Sequence, residues 1–453
     1  MNRLSNTISN TISNTLSNTL SNTQLDTSAT YLGSKGYTIY KECISPAEQM
    51  VVRNELTVKP YIPKAPVQPD AYPIYRESHN KFYVPRYYGI DNFGEPDSIR
   101  IPKGDNTNMI FNGTLHKYQE NIVNKYIKHV GNGGGGLLDV DPGKGKTVMG
   151  LYIAAILNVK TIVIVHKSFL LNQWIERIQQ FIPGARVGKI QGPIIDIENK
   201  DIVIGMLQSL SMKEYPDGTF DSFGLSIYDE VHHLSAETFS RCMTNIQTRY
   251  MLGLSGTMQR KDGLSKVFKQ FLGPVVHKEK NKDNDQVLVK KIDFYINDDE
   301  FNETKYDYRG NPQFSTMISK LCAYNRRSSF IIDVVREEFK RNPDQQMMIL
   351  AHNKSLIEYL YKAVEHQEIG TVGYYVGGMK EAALKASESK NIIIATYAMA
   401  SEGLDIKSLT TLLMATPKSD VCQSVGRILR VKHATPLVID IVDHHEIFEK
   451  QWM

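Results

Sequence analysis

The sequence has few cysteines, no excess of one charge and no long apolar run. Its four cysteines, Cys43, Cys242, Cys322 and Cys422, form no CxxC pair, which fits a reducing compartment and offers no metal or disulfide framework. The net charge is only +4 on 53 basic and 49 acidic side chains, so the net charge does not indicate which class of partner the protein binds. No apolar run reaches the roughly 20 residues of a membrane span, and no apolar signal core begins the chain. We therefore expect a soluble, intracellular protein with no membrane partner.

The first quarter of the chain differs in composition from the rest. Residues 1–24 consist mostly of repeated SNTI and SNTL tetrapeptides, and these polar residues are poor helix formers, so we expect a disordered tail. Residues 25–110 are rich in tyrosine and proline. Aromatic rings beside Arg76, Lys81 and Arg86 could stack on bases. However, this segment balances ten basic against ten acidic residues, which favours a small β-rich packing domain over a nucleic-acid surface.

From Thr114 onward, short β-branched runs alternate with helical patterns. The runs include "LLDV", "TIVIV", "DIVIG", "LSIYD" and "YMLGLS", and after the charged stretch "HKEKNKDNDQ" at 277–286 they resume with "QMMILAHN", "NIIIATY" and "LVIDIVD". Such alternation is typical of buried parallel strands joined by helical crossovers. The sequence therefore predicts two consecutive α/β domains, at 111–280 and 287–453.

A glycine-containing loop, "DPGKGKT", comes directly after the first of these strands and opens a helix. Backbone N–H groups in such a loop, with the helix N-terminus, bind phosphate oxygens. Lys146 would reach the β- and γ-phosphates, and Thr147 would ligate Mg²⁺. Val140 stands where the general phosphate-loop motif has its first glycine. The residues assigned to nucleotide binding here are Pro142, Gly143, Lys144, Gly145, Lys146, Thr147 and Val148.

Two neighbouring features admit simpler explanations. Lys144 is also explained as a solvated loop charge. The upstream string "GNGGGG" at 131–136 satisfies GxGxxG, but it precedes a strand instead of coming after one. We therefore interpret it as a flexible connector.

Acidic residues end a later strand in "LSIYDEVHHL". Carboxylates there require a cation or hydrogen bonds to offset burial. Asp229 can hold Mg²⁺ through its water, and Glu230 can orient and deprotonate the attacking water. His232 would contact the nucleotide or the second domain. The alternative is an acidic pair that caps the next helix.

Two further segments favour ATP hydrolysis over capping. "LGLSGT" ends another strand with Ser255, Gly256 and Thr257, which we assign to coupling. "QSVGRILR" in the second domain has the spacing QxxGRxxR. Arginines at this spacing can neutralise charge on the transferring phosphoryl group. The catalytic set predicted from sequence is Lys146, Asp229, Glu230, Gln423, Arg427 and Arg430.

These motifs, in this order, resemble those of superfamily 2 helicases of the DExH kind. Within that superfamily "LGLSGTMQRKDGL" and "ASEGLDI" are most similar to the XPB-like branch, and closest to the transcript-release helicases of poxviruses and other large DNA viruses. The resemblance implies two tandem RecA-like domains that hydrolyse ATP with Mg²⁺ and so pull a strand in steps. It also implies a nucleic-acid partner, DNA more than RNA, possible contact with RNA polymerase or other transcription machinery, and a location in host cytoplasm or a virion.

The resemblance also assigns residues outside the phosphate loop. "LHKYQ" implies that Gln119 reads adenine, and "ATYAMASEGLDI" implies nucleotide contacts from Gly403 and Asp405. Nucleic-acid contacts are implied for Lys167 in "VHKSFLLNQW", where His166 and Lys167 replace the usual Pro-Thr, for Gln208 in "IGMLQSL", and for Thr396. "MILAHNKSLIEYL" resembles the fourth helicase motif.

Three alternatives stay open at this point. The chain could translocate along duplex without unwinding it, act on RNA, or bind nucleic acid as an inactive scaffold. Separately, Asp440, Asp443, His444 and His445 in "VIDIVDHHEIF" could suggest a metal site. That segment is better explained as a buried strand leading into a terminal helix.

Overall fold

The computed structural model describes residues 29–61, 67–141, 143–231, 236–256, 258, 263–278, 287–401, 406, 408–418 and 436–449. The predicted tail, residues 1–24, lies outside them. Apart from the short segment 142–144, the chain divides into two compact units near residue 280. None of the described helices has the length and apolarity that crossing a bilayer requires.

The first unit begins with a five-stranded sheet of order β5-β6-β2-β1-β7. Its pairs are antiparallel except β1–β7, and β3 pairs with β4 beside it. One face is apolar and packs against the two helices, whose starts are set by a Ser45–Glu48 capping box and by Pro85. The elements are β1 (Thr30–Gly33), β2 (Gly36–Tyr40), α1 (Pro46–Glu55), β3 (Thr57–Val58), β4 (Tyr72–Pro73), β5 (Arg76–Glu77), β6 (Lys81–Val84), α2 (Arg86–Phe93) and β7 (Ser98–Ile99).

The same unit continues into an eight-stranded sheet of order β11-β10-β12-β9-β13-β14-β8-β15. All pairs are parallel except β10–β11. The elements are α3 (Lys117–Val130), β8 (Gly134–Asp139), α4 (Lys146–Leu157), β9 (Thr161–Val165), α5 (Ser168–Phe181), β10 (Val187–Gln191), β11 (Ile194–Ile195), β12 (Ile202–Met206), α6 (Leu207–Met212), β13 (Leu225–Tyr228), α7 (Ala236–Asn245), β14 (Tyr250–Ser255), α8 (Ser265–Leu272) and β15 (Val275–Lys278).

Strand β8 starts earlier than the sequence predicts. The run 131–136 was expected to be a connector, but Gly134 to Gly136 are the buried first half of β8. Close packing explains these glycines: a Cβ on Gly135 would lie 2.4 Å from the Leu272 carbonyl oxygen, and one on Gly136 would lie 2.4 Å from Val276 Cγ2. The connector interpretation is therefore wrong for this half of the string.

The small sheet and the larger one share a continuous core. The Tyr87 hydroxyl at the start of α2 donates to the Gly135 carbonyl at 2.9 Å, and Arg86 Nη1 donates to the Arg249 carbonyl at 3.2 Å. The side chain of Arg86 is buried here, so it is a structural residue and cannot meet a base at the surface.

The second unit contains a six-stranded parallel sheet of order β16-β21-β20-β17-β19-β18. With the first unit, it confirms the predicted α/β fold with two tandem RecA-like parallel sheets and a small β-rich N-terminal part. Its elements are β16 (Leu288–Phe294), α9 (Asp299–Asn302), α10 (Phe314–Ala323), α11 (Asn325–Arg341), β17 (Gln346–Ala351), α12 (Lys354–His366), β18 (Val372–Tyr375), α13 (Glu381–Glu388), β19 (Ile392–Thr396), α14 (Tyr397–Ser401), β20 (Leu409–Met414), β21 (Leu437–Asp443) and α15 (Glu446–Glu449).

The segment considered as a metal site is the end of β21. Arg327 Nε and Nη2 each donate to Asp443 at 2.6 Å, and both side chains are fully buried. His444 Nε2 lies 2.7 Å from Asp293 Oδ1. The strand then leads into the short helix α15, as the sequence predicts, and its acidic end is held by an ion pair within the unit.

Candidate nucleotide-binding site

The predicted phosphate loop lies at the carboxyl edge of the first unit's large sheet. Strands β8 and β14 are paired with Asp139 opposite Ser255, and β13 is paired with Tyr228 opposite Gly253. The segments that leave the ends of these strands therefore emerge side by side. Ligands of open parallel sheets bind at this edge.

The loop leaves the first turn of α4 open to a ligand. Gly143 and Gly145 have φ values of 84° and 79°, a left-handed conformation that favours glycine. Gly145 is the N-cap of α4 and has no side-chain capping hydrogen bond. The first N–H groups of a helix lack partners within it, so this end of α4 suits a phosphate.

Lys146 is the first residue of α4 and points back across the sheet edge. Its Nζ donates to the Val140 carbonyl at 3.3 Å and lies 3.6 Å from Glu230 Oε1. Its side chain is only 9% exposed. Val140, which departs from the general motif, is itself completely buried and helps to hold the lysine through its backbone.

Asp229 is held by a side chain that sequence reasoning did not assign. The indole Nε1–H of Trp174 donates to Asp229 Oδ2 at 2.9 Å, and both groups are buried. Burial, and then the nearby Glu230 charge, raises the pKa of Asp229 to about 6, while the indole hydrogen bond opposes the rise. The tryptophan thus stabilises the ionised carboxylate and fixes its orientation.

The role of Trp174 could not be recognised from the sequence because the residues around it have the spacing of a core helix. It shares the buried face of α5 with Leu170, Leu171 and Ile178, and this spacing is typical of a core helix. Its partner lies 55 residues away in the chain. The only sequence feature that could have suggested the contact with Asp229 was the presence of a tryptophan at the end of "VHKSFLLNQW".

Glu230 occupies a strained backbone position. Its φ is 50°, the left-handed region that a non-glycine residue adopts at an energetic cost. The turn lets consecutive carboxylates face the same edge: Asp229 towards Trp174 and Glu230 towards Lys146. Such strain is typical of residues whose side-chain direction matters more than local stability.

Gln119, which the resemblance links to adenine, lies against the loop. Its side chain is 5% exposed, and its Oε1 accepts a hydrogen bond from the His116 backbone at 3.0 Å. A Cβ on Gly145 would lie 2.4 Å from Gln119 Nε2. The amide is therefore beside the glycine turn, where a bound nucleotide would meet it.

Two residues predicted to contact nucleic acid lie near the same edge. Lys167 precedes α5 as its N-cap, and burial lowers the pKa of its ammonium group. Gln208, at the start of α6, donates through Nε2 to the His166 carbonyl at 3.1 Å. The hydrogen bond joins the segments that leave the ends of β9 and β12, two adjacent strands.

The remaining predicted residues lie beside this cluster, in the second unit, or outside the described residues. Ser255 ends β14, completely buried, and its carbonyl accepts from the Val140 N–H at 2.9 Å. Gly256 comes next, Thr147 and Val148 are half-buried in α4, and Thr396 ends β19 of the second unit. The residues outside the described part of the chain are Pro142, His232, Thr257, Gly403, Asp405, Gln423, Arg427 and Arg430.

Comparison of the sequence with known proteins identifies the family to which this chain belongs. Residues 112–260 match the family described as type III restriction enzyme, res subunit. A protein of Acanthamoeba polyphaga mimivirus, named as a putative ATP-dependent RNA helicase, is 38% identical over 430 residues, which cover 92% of this chain and 82% of that protein.

Two other viral proteins are more distant. One from Invertebrate iridescent virus 6, named as a putative helicase, is 27% identical and covers 80% of this chain and 90% of its own length. One from African swine fever virus, named as a putative ATP-dependent RNA helicase, is 26% identical and covers 74% of this chain and 73% of its own. The chain belongs to helicase superfamily 2 and is an ATP-hydrolysing enzyme, an ATP-dependent nucleic-acid helicase.

Proposed function

We propose that this helicase is of the DExH kind and of the XPB-like branch, and that it moves along DNA while hydrolysing ATP at the carboxyl edge of its first large sheet. The observation that supports ATP hydrolysis at this edge is the group formed by Lys146, Asp229, Glu230 and Trp174 beside an uncapped helix N-terminus, while the choice of branch and of DNA rests on the motif resemblance. Phosphate, cation and water each have a suitable partner there.

Lys146 would bind the β- and γ-phosphates of ATP. Its present partners are the Val140 carbonyl and the Glu230 carboxylate. Exchange of a carboxylate for phosphate oxygens keeps the buried ammonium group neutralised. The same exchange releases Glu230 to accept a hydrogen bond from the attacking water, and its carboxylate then takes the proton.

The donor set at this edge fits Mg²⁺. The Asp229 carboxylate and the Thr147 hydroxyl are hard oxygen ligands of the kind this ion prefers, and Mg²⁺ usually keeps several waters. Trp174 holds the carboxylate in one orientation. Bound there, the ion would neutralise charge on the phosphates.

The other assigned residues complete the proposal. Gln119 would contact adenine, and Ser255 and Gly256 would couple nucleotide state to the strand. Lys167, Gln208 and Thr396 would contact nucleic acid, in a sequence-independent way because backbone phosphates carry no base information. Gln423, Arg427 and Arg430 would act on the transferring phosphoryl group, and Gly403 and Asp405 on the nucleotide.

We further propose a role in viral transcription, at the step of transcript release, with RNA polymerase or associated machinery as the partner. The motif resemblance to transcript-release helicases and the viral relatives support this role. The names of two relatives favour an RNA substrate as the second candidate.

The experiment is ATP turnover measured with no polymer, single-stranded DNA, duplex DNA and RNA. We expect DNA to raise the rate most. Stimulation by RNA alone would select the RNA helicase, and stimulation by duplex without displacement of an annealed strand would select a duplex translocase. A chain that no polymer stimulates would contradict the proposal.

A further inference from the structure

The small N-terminal sheet has two chemically different faces. In every strand, alternate side chains point to opposite sides, and the pairing of Tyr31 with Thr38 and of Thr38 with Tyr83 aligns those sides across the sheet. Residues that are paired across neighbouring strands therefore lie on the same face of the sheet.

One face forms the core of the domain. Its buried side chains are Leu32, Tyr37, Ile39, Phe82 and Val84. Glu77, which pairs with Phe82 across β5 and β6, is the one carboxylate in strands β1, β2, β5, β6 and β7. It belongs to this side and is neutralised by Lys41 and Arg53, each at 2.9 Å.

The opposite face carries rings and positive charges. We name it the tyrosine face and define it by Tyr31, Tyr40, Tyr83, Arg76, Lys81 and Arg100. Tyr83 pairs with Arg76 and Tyr40 pairs with Lys81, while Arg100 comes directly after β7, whose Ser98 pairs with Tyr31. None of the six residues is fully buried, whereas Thr38, which lies between Tyr31 and Tyr83 on the same face, is completely buried.

The charges of this face lie directly on its rings. The Arg100 guanidinium is centred 4.0 Å from the Tyr31 ring. Lys81 Nζ lies 4.6 Å from the Tyr40 ring and 5.3 Å from the Tyr31 ring, and donates to the Tyr31 hydroxyl at 3.3 Å. These cation–π contacts place positive charge and aromatic surface at the same part of the sheet.

The face is only partly occupied by the rest of the first unit. Arg76 Nη2 donates to Asn245 Oδ1 at 2.6 Å, which places the β5 edge next to α7. Among the described residues, no hydrogen bond or ion pair joins Tyr31, Tyr40 or Lys81 to the elements of the eight-stranded sheet. The one carboxylate within these strands, Glu77, is on the core side, and the Glu214 charge lies near Arg76 at the β5 edge.

We propose that the tyrosine face binds a single-stranded segment of the polynucleotide on which the helicase acts. Its rings would stack on unpaired bases and its cations would contact phosphates. The binding would be insensitive to sequence, since every base has an aromatic surface, and would weaken with salt because bound cations displace counterions. This site is separate from the nucleotide-binding edge.

The test compares full-length variants in fluorescence-anisotropy titrations with labelled oligo(dT) and oligo(U), at two salt concentrations. We expect Tyr31→Leu with Tyr40→Leu to weaken binding on the order of tenfold per ring. The double Phe variant keeps the rings and should bind like the parent chain. Lys81→Gln should lower the slope of log affinity against log salt by about one.

Matched controls come from the same domain. Tyr61, 62% exposed, lies outside the tyrosine face, and Tyr61→Leu should not change affinity. ATP turnover without polymer should be unchanged in all of these variants, because none of the residues lies at the nucleotide edge. Unchanged thermal unfolding excludes a folding defect.

Two results would overturn the inference. One is affinity equal to that of the parent chain in the double Leu variant, and the other is an equal loss in the double Phe or the Tyr61→Leu variant. Failure of the proposed function looks different, since it would abolish polymer-stimulated ATP turnover in the unmodified chain. A preference for oligo(dT) over oligo(U), or the reverse, identifies which polymer the face takes.

Discussion

The two large parallel sheets differ in the loops that connect their strands to the next helix. In the first unit, β8 leads through two left-handed glycines into α4, whose N-cap Gly145 provides no side-chain cap. In the second unit, β17 leads into α12, where the Asn353 side chain accepts from the Ser355 N–H at 3.0 Å. The same parallel architecture thus gives one helix end that is open to phosphate and one that is already capped.

The buried charges of the two units differ in the same way. Arg327 and Asp443 of the second unit form two 2.6 Å hydrogen bonds with no exposed surface. Lys146 and Glu230 of the first unit are 3.6 Å apart and partly accessible. The first pair is enclosed, whereas the second is longer and partly accessible, as the proposed exchange of Glu230 for phosphate oxygens requires. The comparison shows that two similar parallel sheets can differ in the loop at their carboxyl edge and in how tightly their buried charges are paired. We propose that these two differences place the chemistry in the first unit.

The largest effect is expected from Glu230, the carboxylate of the first unit that we propose as the catalytic base. Glu230→Gln keeps the shape of the side chain but removes the base, so we expect ATP turnover to be abolished, a loss on the order of a thousandfold or more. Nucleic-acid affinity should stay largely intact. Single-turnover hydrolysis and oligonucleotide titration measure the two quantities, and normal turnover would refute the assignment of Glu230.

In the second unit, the enclosed pair should matter for stability instead. Arg327→Met leaves Asp443 buried without its partner, and we expect a loss of about 3–5 kcal/mol in the free energy of unfolding. The control is Lys362→Met, whose partner Glu358 lies at 2.7 Å in an exposed pair, with an expected loss under about 1 kcal/mol. Unfolding by denaturant measures the free energy of unfolding of both variants. Equal losses would show that burial does not determine how much an ion pair contributes to stability.

A smaller effect tests the tryptophan that sequence reasoning missed. Protonation of Asp229 would remove the charge that we propose holds a cation, so activity should fall as the pH drops towards the pKa of this carboxyl, which burial raises above its ordinary value. The indole donor lowers that pKa. Trp174→Phe should therefore shift the midpoint of the pH–rate profile upward, and the loss should largely disappear at alkaline pH.

Ile178→Val provides the control for core packing on the same helix. Ile178 is completely buried, and its truncation destabilises the core without touching Asp229. Its midpoint should remain that of the parent chain. A shift equal to that of Trp174→Phe would mean that packing, and not the hydrogen bond, sets the pH dependence.

Much of the fold could be predicted because parallel strands are short apolar runs. "TIVIV" and "LVIDIVD" coincide with β9 and β21, and "DE" after "LSIY" lies where the strand ends. Gly134 to Gly136 were predicted wrongly because glycine usually marks a turn, and only the neighbouring atoms explain why a strand requires it here.

The remaining features depend on contacts between distant segments. Trp174 contacts Asp229 across 55 residues, and helical spacing alone assigns it to the core. The tyrosine face depends on the register of β1, β2, β5 and β6, which a count of charges cannot show. The strand register shows on which side of the sheet each charged residue lies, and the composition does not.

The most direct test of the central claim compares matched lysines of the two units. Lys146 and Lys354 are each the first residue of a helix that comes after a parallel strand, but only Lys146 faces an uncapped glycine turn. ATP turnover is measured for Lys146→Ala and Lys354→Ala without polymer. We predict that the first variant has no measurable turnover and that the second matches the parent chain. Normal turnover by Lys146→Ala, or equal loss in both, would contradict the account.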